Sequence, residues 1–236
     1  MKTILLSILL FISYIGSSQN HGTGLIFNEN EYDKIDMVSK PMGYGDNLPE
    51  KASLRKYVPT IGDQGNMGTC VGWASTYYLA SMEYAIQRDI SDMYEITANV
   101  FDPYYTYLSI ITEDSYFNCQ NGTYVWEAAQ FLTTNGVKRF GYETYECGAD
   151  ISDRIKETNS VIDFIDYYRI YDGNDDIEDN ITSVKQALVD KHPVVIGMAL
   201  PNSFRNIGSD GLLRTQAGEG TIGGHAMTII GYDDDK

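Results

Sequence analysis

The sequence predicts an α+β chain of two lobes, helical first and β-rich second, on three observations. A long helical stretch, Val71 to Arg88, dominates the first half, a shorter one follows near Val125, and two apolar β-rich runs, 193–200 and 225–232, close the chain. In the long stretch Trp73, Tyr77, Ala80 and Tyr84 recur at spacings of four, three and four, which draws one apolar face. Beside it Cys70, Ala74, Ser81 and Ala85 supply a stripe of small residues, so the element reads as a largely buried central helix. The second helix is expected over Val125 to Leu132, ending at Asn135-Gly136, where the glycine can take the left-handed closing turn. A third is expected over Ile181 to Val189, capped by Asn180. The runs PVVIGMAL and HAMTIIGY, separated by Gly- and Asn-rich turns, read as strands.

The N-terminus reads as an export signal over 1–19. Lys2 precedes an apolar stretch from Ile4 to Ile15, and small Gly16, Ser17 and Ser18 follow. That stretch is shorter than the roughly 20 residues a membrane-spanning helix needs. The mature protein is therefore expected to be secreted or periplasmic, with no membrane contact after cleavage. Residues 20–47 lack a clear period and read as a short leader or linker. It could equally be a vestigial pro-segment, too short to fold over a groove as an independent inhibitory domain. His21 lies in it and is read as solvated and silent.

Composition narrows the partners. Seventeen Lys and Arg stand against 33 Asp and Glu, a formal charge of -16. A polyanion such as nucleic acid would be repelled. With 43 % hydrophobic residues the chain is globular, and it is read as a monomer. Three cysteines are too few for a disulfide-built scaffold, and their odd number leaves at least one thiol unpaired within the chain.

The chemistry-bearing residues sit where these elements join. In Asp63-Gln64-Gly65-Asn66-Met67-Gly68-Thr69-Cys70 a thiol occupies the first turn of the central helix, behind a glycine-containing loop. Residue type alone makes Cys70 a small buried hydrophobe. The helix terminus and a neighbouring imidazolium would instead lower its pKa, into a range of roughly 3.5 to 7.5. Gly223-Gly224-His225-Ala226 supplies a histidine at the mouth of the last strand, about 150 residues downstream. A cysteine on a helix N-terminus and a distant histidine on a strand are the two halves of a thiolate–imidazolium nucleophile. His192, beside Pro193 in a turn, is read as structural.

These segments resemble those of the papain-like cysteine peptidases. Gln64 lies six positions before Cys70, Gly224-His225-Ala226 leads into a strand ending Gly231-Tyr232, and Leu48-Pro49 to Arg55 looks like the start of the mature domain. Asn121-Gly122-Thr123-Tyr124-Val125-Trp126 is similar to the substrate-binding Asn-Gly-Gly-Tyr-x-Trp loop, with Thr for the second Gly. The residue after the cysteine departs from the family, being Val71 where Trp is usual. The resemblance covers residues 48–236 and implies a papain-like two-lobed fold. Residues 48–158 would form the helical lobe with the nucleophile, and 159–236 the β-rich lobe with the histidine.

The activity implied is hydrolysis of peptide bonds in proteins or peptides through an acyl-enzyme. Cys70 would be the nucleophile, His225 its base and then acid, and Gln64 with the Cys70 backbone N–H the oxyanion donors. Gly122 and Thr123 would pair with an extended substrate, and Gly197, Gly223 and Gly224 would lie near its side-chain pocket. The family's third catalytic residue, an Asn downstream of the His, is missing from the eleven residues after His225, which reads as a C-terminal truncation. A silent peptide-binding homologue and a Cys-His amidase acting on another substrate class are the alternatives.

Export permits a disulfide, and a nucleophile must be free. Cys119 and Cys147 are therefore expected to pair, closing a loop of about 29 residues and leaving Cys70 reduced. No cofactor is expected, and no metal. The acidic run Asp172-Gly173-Asn174-Asp175-Asp176 resembles the opening of a calcium loop, but Ile177 and Ser183 stand where Gly and Glu are needed. Asn121-Gly-Thr and Asn180-Ile-Thr fit the glycosylation pattern.

Overall fold

A computed structural model describes residues 22–41, 43–111, 119–141, 147, 162 and 164–235. The expected signal peptide, His21 and the expected lobe boundary at 158–159 lie outside the described residues.

The central helix begins at Cys70. It runs as α2 (Cys70–Gly72), a π-helical stretch (Trp73–Ala80) and α3 (Ser81–Gln87). As expected of a largely buried helix, Trp73, Ala74, Ser75, Thr76, Tyr77 and Ala80 are buried, while Tyr78 and Leu79 are partly exposed. The reason is its surroundings: it packs against α5 (Pro103–Ile110) and α6 (Val125–Asn135) and also against strands β2 (Val194–Pro201) and β3 (Thr221–Ile229). Hydroxyls buried on this helix bond internally where a partner is in reach. Thr76 Oγ1 and Thr106 Oγ1 do so at 2.7 Å. Gly72 permits the approach to α5, since a Cβ there would stand 2.4 Å from the Pro103 carbonyl oxygen.

α5 is started by Pro103 at its first turn and by Asp102, whose Oδ1 accepts from the N–H groups of Tyr104 and Tyr105 at 2.8 and 3.3 Å. α6 extends to Asn135 and closes on Gly136 at φ 71°. The third helix, α7 (Ile177–Val189), starts four residues before Ile181. Asn180 is therefore no cap. It is buried inside the helix, where its amide accepts from Asp172 N–H at 2.8 Å and donates to Asp172 C=O at 2.9 Å. That double bond to a loop fixes the helix start and leaves the Asn180 amide engaged, not available to a glycan.

The expected strand 225–232 is divided. Residues 221–229 pair antiparallel with β2, with Met198 opposite His225 and Gly197 opposite Ala226. The chain then switches partner: β4 (Gly231–Asp233) pairs with β1 (Lys51–Ser53), Ala52 opposite Tyr232. The switch binds the start of the helical half to the end of the β-rich half. Leu54, Tyr57, Met82, Ala85, Ile96 and Leu188 bury together beside it.

Candidate active site

Cys70 is the first residue of the central helix and 0 % exposed, packed with Val71, Ala74, Ala128 and Ala226. The loop before it is held from behind. Gly68 N–H donates to Cys119 C=O at 2.6 Å, and a Cβ on Gly68 would stand 2.7 Å from the Gln120 carbonyl oxygen, so only glycine lets the two segments touch. Gln120 Nε2 adds a bond to Asn66 C=O at 2.9 Å. Cys119 is disulfide-bonded to Cys147, Cys70 is free, and Met67 Sδ lies 3.4 Å from Cys147 Sγ. The covalent bridge therefore buttresses the loop that delivers the free thiol.

β3 delivers the histidine. His225 immediately precedes Ala226, whose backbone N–H points at the Cys70 sulfur, and the ring of Phe204 lies 6.4 Å from the imidazole, centroid to centroid. Thr228 Oγ1 on the same strand donates to Ala74 C=O at 3.0 Å, which locks β3 onto the central helix.

The groove between these elements contains the protein's own leader. Residues Gly22 to Phe27 lie extended across Cys70 and bond to both walls. Gly22 N–H donates to Gly65 C=O at 3.1 Å, Thr123 N–H to Gly24 C=O at 2.8 Å, Ile26 N–H to Thr123 C=O at 3.0 Å, and Leu25 N–H to Gly224 C=O at 3.0 Å. Gln64 Nε2 donates to the Gly22 carbonyl at 2.7 Å and to Met67 C=O at 3.0 Å. The leader runs parallel to the segment at Thr123. A Cβ on Gly122 would stand 2.6 Å from the Gly24 carbonyl oxygen, one on Gly223 2.4 Å from Thr23 Oγ1, one on Gly224 2.3 Å from the Leu25 carbonyl oxygen, and one on Gly197 2.5 Å from Leu25 Cδ2. Gln64, Gly122, Thr123, Gly197, Gly223 and Gly224 thus all border one extended peptide.

Six residues of the leader suffice to fill the groove, because paired backbone needs no core of its own. One expectation is corrected. The Cys70 thiol, expected to be acidic, is pushed up from its ordinary value, chiefly by burial, against the lowering effect of the N–H groups of Ala226, Gly24 and Val71 and of its own. The leader contributes to that burial through Leu25, and its Gly24 N–H faces the sulfur.

Other groups have structural roles. His192 Nδ1 lies 3.0 Å from Glu83 Oε1, and that carboxylate raises its pKa. Asp172 and Asp175 are ion-paired with Arg169 and Lys40, and among the described residues no group of His, Cys, Asp and Glu is arranged to hold a metal ion. Sequence reasoning passed over Leu25 and Arg169. The signal for the first was present, because Gly22-Thr23-Gly24 before Leu25-Ile26-Phe27 is a slim extended segment with an apolar end inside a polar leader.

The family described as papain family cysteine protease matches residues 48–236. Among solved structures the chain is similar to xylellain, a cysteine protease from Xylella fastidiosa, at 19 % identity and TM-score 0.57, over 92 % of this chain and 81 % of that one. It is also similar to digestive procathepsin L 3 of the Tenebrio molitor larval midgut, at 19 % identity and TM-score 0.53, over 92 % and 62 %. A third is procathepsin B S9 from Trypanosoma congolense, at 14 % identity and TM-score 0.58, over 90 % and 71 %. At these identities the likeness is one of fold. No curated protein matches the chain.

Proposed function

The chain belongs to the papain family of cysteine proteases, and from that premise we propose that it is an exported endopeptidase, held latent by its own leader, in which Cys70, His225 and Gln64 carry the chemistry. As a peptidase of this family it acts on proteins or peptides. Its organisation on this reading is a signal peptide over 1–19, a leader over 20–47, a helical lobe over 48–158 and a β-rich lobe over 159–236, working as a monomer outside the cytoplasm.

Once the leader has left, the Cys70 sulfur attacks the scissile carbonyl carbon while His225 takes the thiol proton. The C=O π pair moves to oxygen, and the oxyanion is held by the Gln64 amide and the Cys70 backbone N–H. Collapse of this adduct expels the amine, which takes its proton from His225 and leaves a thioester. Water, deprotonated by His225, then cleaves the thioester, releases the acid and restores the thiol. Thr123 and Gly224 align the substrate backbone, and Gly122, Gly197 and Gly223 leave room for it.

The observation that carries this reading is the leader itself. It is a peptide lying extended over a free thiol, bonded to Thr123 on one wall and Gly224 on the other. The Gln64 amide already holds a peptide carbonyl, that of Gly22. The test is turnover of a fluorogenic peptide by the protein before and after removal of the leader. Activity that appears with leader loss and disappears in Cys70→Ser is the expected result. Turnover that survives Cys70→Ser would overturn the assignment.

A further inference from the structure

We propose that Arg169 is the latch that holds the leader over the groove. This rests on reading the leader as the cover of Cys70 and adds what keeps it there. Downstream of the plug at 22–27, the leader is bonded to the β-rich half through both side chain and main chain at one residue, Arg169. Arg169 Nε donates to Ile35 C=O at 3.0 Å and its guanidinium pairs with Asp33 at 3.1 Å. Its backbone N–H donates to Asp36 C=O at 2.9 Å, and its carbonyl accepts from Val38 N–H at 2.9 Å, so Arg169 bonds the leader through both side chain and main chain. The guanidinium also lies over the Tyr32 ring, and Tyr32 Oη donates to Tyr171 C=O at 3.1 Å.

The Arg169 side chain is only 13 % exposed, while that of Asp33 is 67 % exposed. The arginine is therefore built into the body of the protein and the leader comes to it. Its carbonyl-directed bond and its backbone rungs are not the kind of surface ion pair that contributes little. The short helix α1 (Glu29–Tyr32), capped by the Asn28 side chain on Glu31 N–H, spans the gap between plug and latch as a stiff link.

The plug is paired mainly through its backbone, so its occupancy depends on how closely it is tethered. With the latch closed, the first leader backbone group after Phe27 that is bonded to the β-rich half is that of Ile35, 8 residues on. With it open, the next backbone anchor is Gly45, whose N–H donates to Gln186 Oε1 at 3.1 Å, 18 residues on. Among the described residues two side-chain contacts lie between, the partly exposed Lys40–Asp175 pair and Tyr44 Oη, which donates to Ser183 C=O at 3.4 Å. The local concentration of a tethered segment falls roughly as the −3/2 power of tether length, so opening the latch lowers plug occupancy about three-fold before any loss of stiffness is counted.

The test is the iodoacetamide labelling rate of Cys70, the free thiol, in the full chain, read by mass spectrometry beside fluorogenic turnover. Arg169→Ala, which removes the side-chain half of the latch and leaves its two backbone rungs, should raise labelling by up to about three-fold. Arg169→Lys, which keeps a cation but cannot bond Ile35 and Asp33 as one planar fork, should fall between. Val38→Pro removes the N–H of one rung from the leader side, without touching either lobe, and should match Arg169→Ala. Unchanged labelling in folded Arg169→Ala and in Val38→Pro would overturn the latch, as would a lower melting temperature with no change in labelling. Faster labelling with no turnover in any variant would keep the latch and count against the peptidase chemistry instead.

Discussion

Leu25 of the leader rests on the bare Cα of Gly197: a Cβ at that position would stand 2.5 Å from Leu25 Cδ2. The pocket is open because residue 197 has no side chain. Gly197→Val is therefore expected to expel Leu25 and to accelerate labelling of Cys70 in the full chain. In leader-free protein the same change should raise KM for peptides carrying a bulky aliphatic residue, with a smaller effect on kcat. Peptide kinetics in parallel with thiol labelling check both.

Burial sets the reactivity of the thiol in the covered state. The Cys70 pKa is raised above 9.0, so the folded, covered protein keeps the proton where a solvated thiol would lose it. Covering is then most favourable below that ordinary value and weakens as pH rises through the elevated one. The full chain should label slowly at pH 7 and faster above about pH 9, whereas Leu25→Asp, which places a charge in an apolar pocket, should label readily at pH 7. Equal rates for the two at pH 7 would remove the leader as the cause.

Asp102 makes stability depend on pH. Its carboxyl is 0 % exposed, with Oδ1 engaged by two backbone N–H groups and Oδ2 without a hydrogen-bond partner among the described residues, and burial raises its pKa from 3.8 to about 7. Between those values the folded protein binds a proton that the unfolded chain does not. Its contribution is therefore fully present below about pH 4 and is lost as pH rises through 7. Asp102→Asn keeps the cap acceptor and abolishes this titration. Between pH 4.5 and 7.5 the stability difference should shift in favour of the variant by up to about 3 kcal/mol, measured by urea unfolding at the two pH values.

The Cys119–Cys147 bridge, with a sequence separation of 28, should contribute about 3 to 4 kcal/mol by the chain-entropy estimate. It should also support activity, because the Cys119 carbonyl holds Gly68, two residues before the thiol. Cys147→Ser is expected to lower the melting temperature and to lower kcat even at temperatures where the variant is fully folded. A loss of stability with unchanged kcat would confine the bridge to the scaffold.

Local pattern was enough to read the central helix with Cys70 at its head, the closing turn at Gly136 and the two apolar runs of the β-rich half, because periodicity and glycine conformation are properties of neighbouring residues. The resemblance to the papain-like peptidases, carried by their flanking motifs, is what implied that Gln64, Thr123 and Gly224 border a peptide. Three features depend on contacts between distant segments and leave no local trace. The central helix, expected to be largely buried, owes part of its cover to β2 and β3, which come from more than 100 residues downstream. Asn180 sits inside a helix because its amide bonds Asp172 in place of a helix end. The leader, polar and aperiodic on paper, becomes ordered because the backbone rungs at Gly65, Thr123 and Gly224 and the buried Arg169 are already in position to receive it. Sequence by itself determined the main elements and singled out Cys70 and His225 as a candidate pair, while the raised pKa of the buried thiol came from tertiary packing. Tertiary structure alone decided that the groove is filled, since a backbone hydrogen bond can be made by almost any residue and is therefore not encoded in residue type.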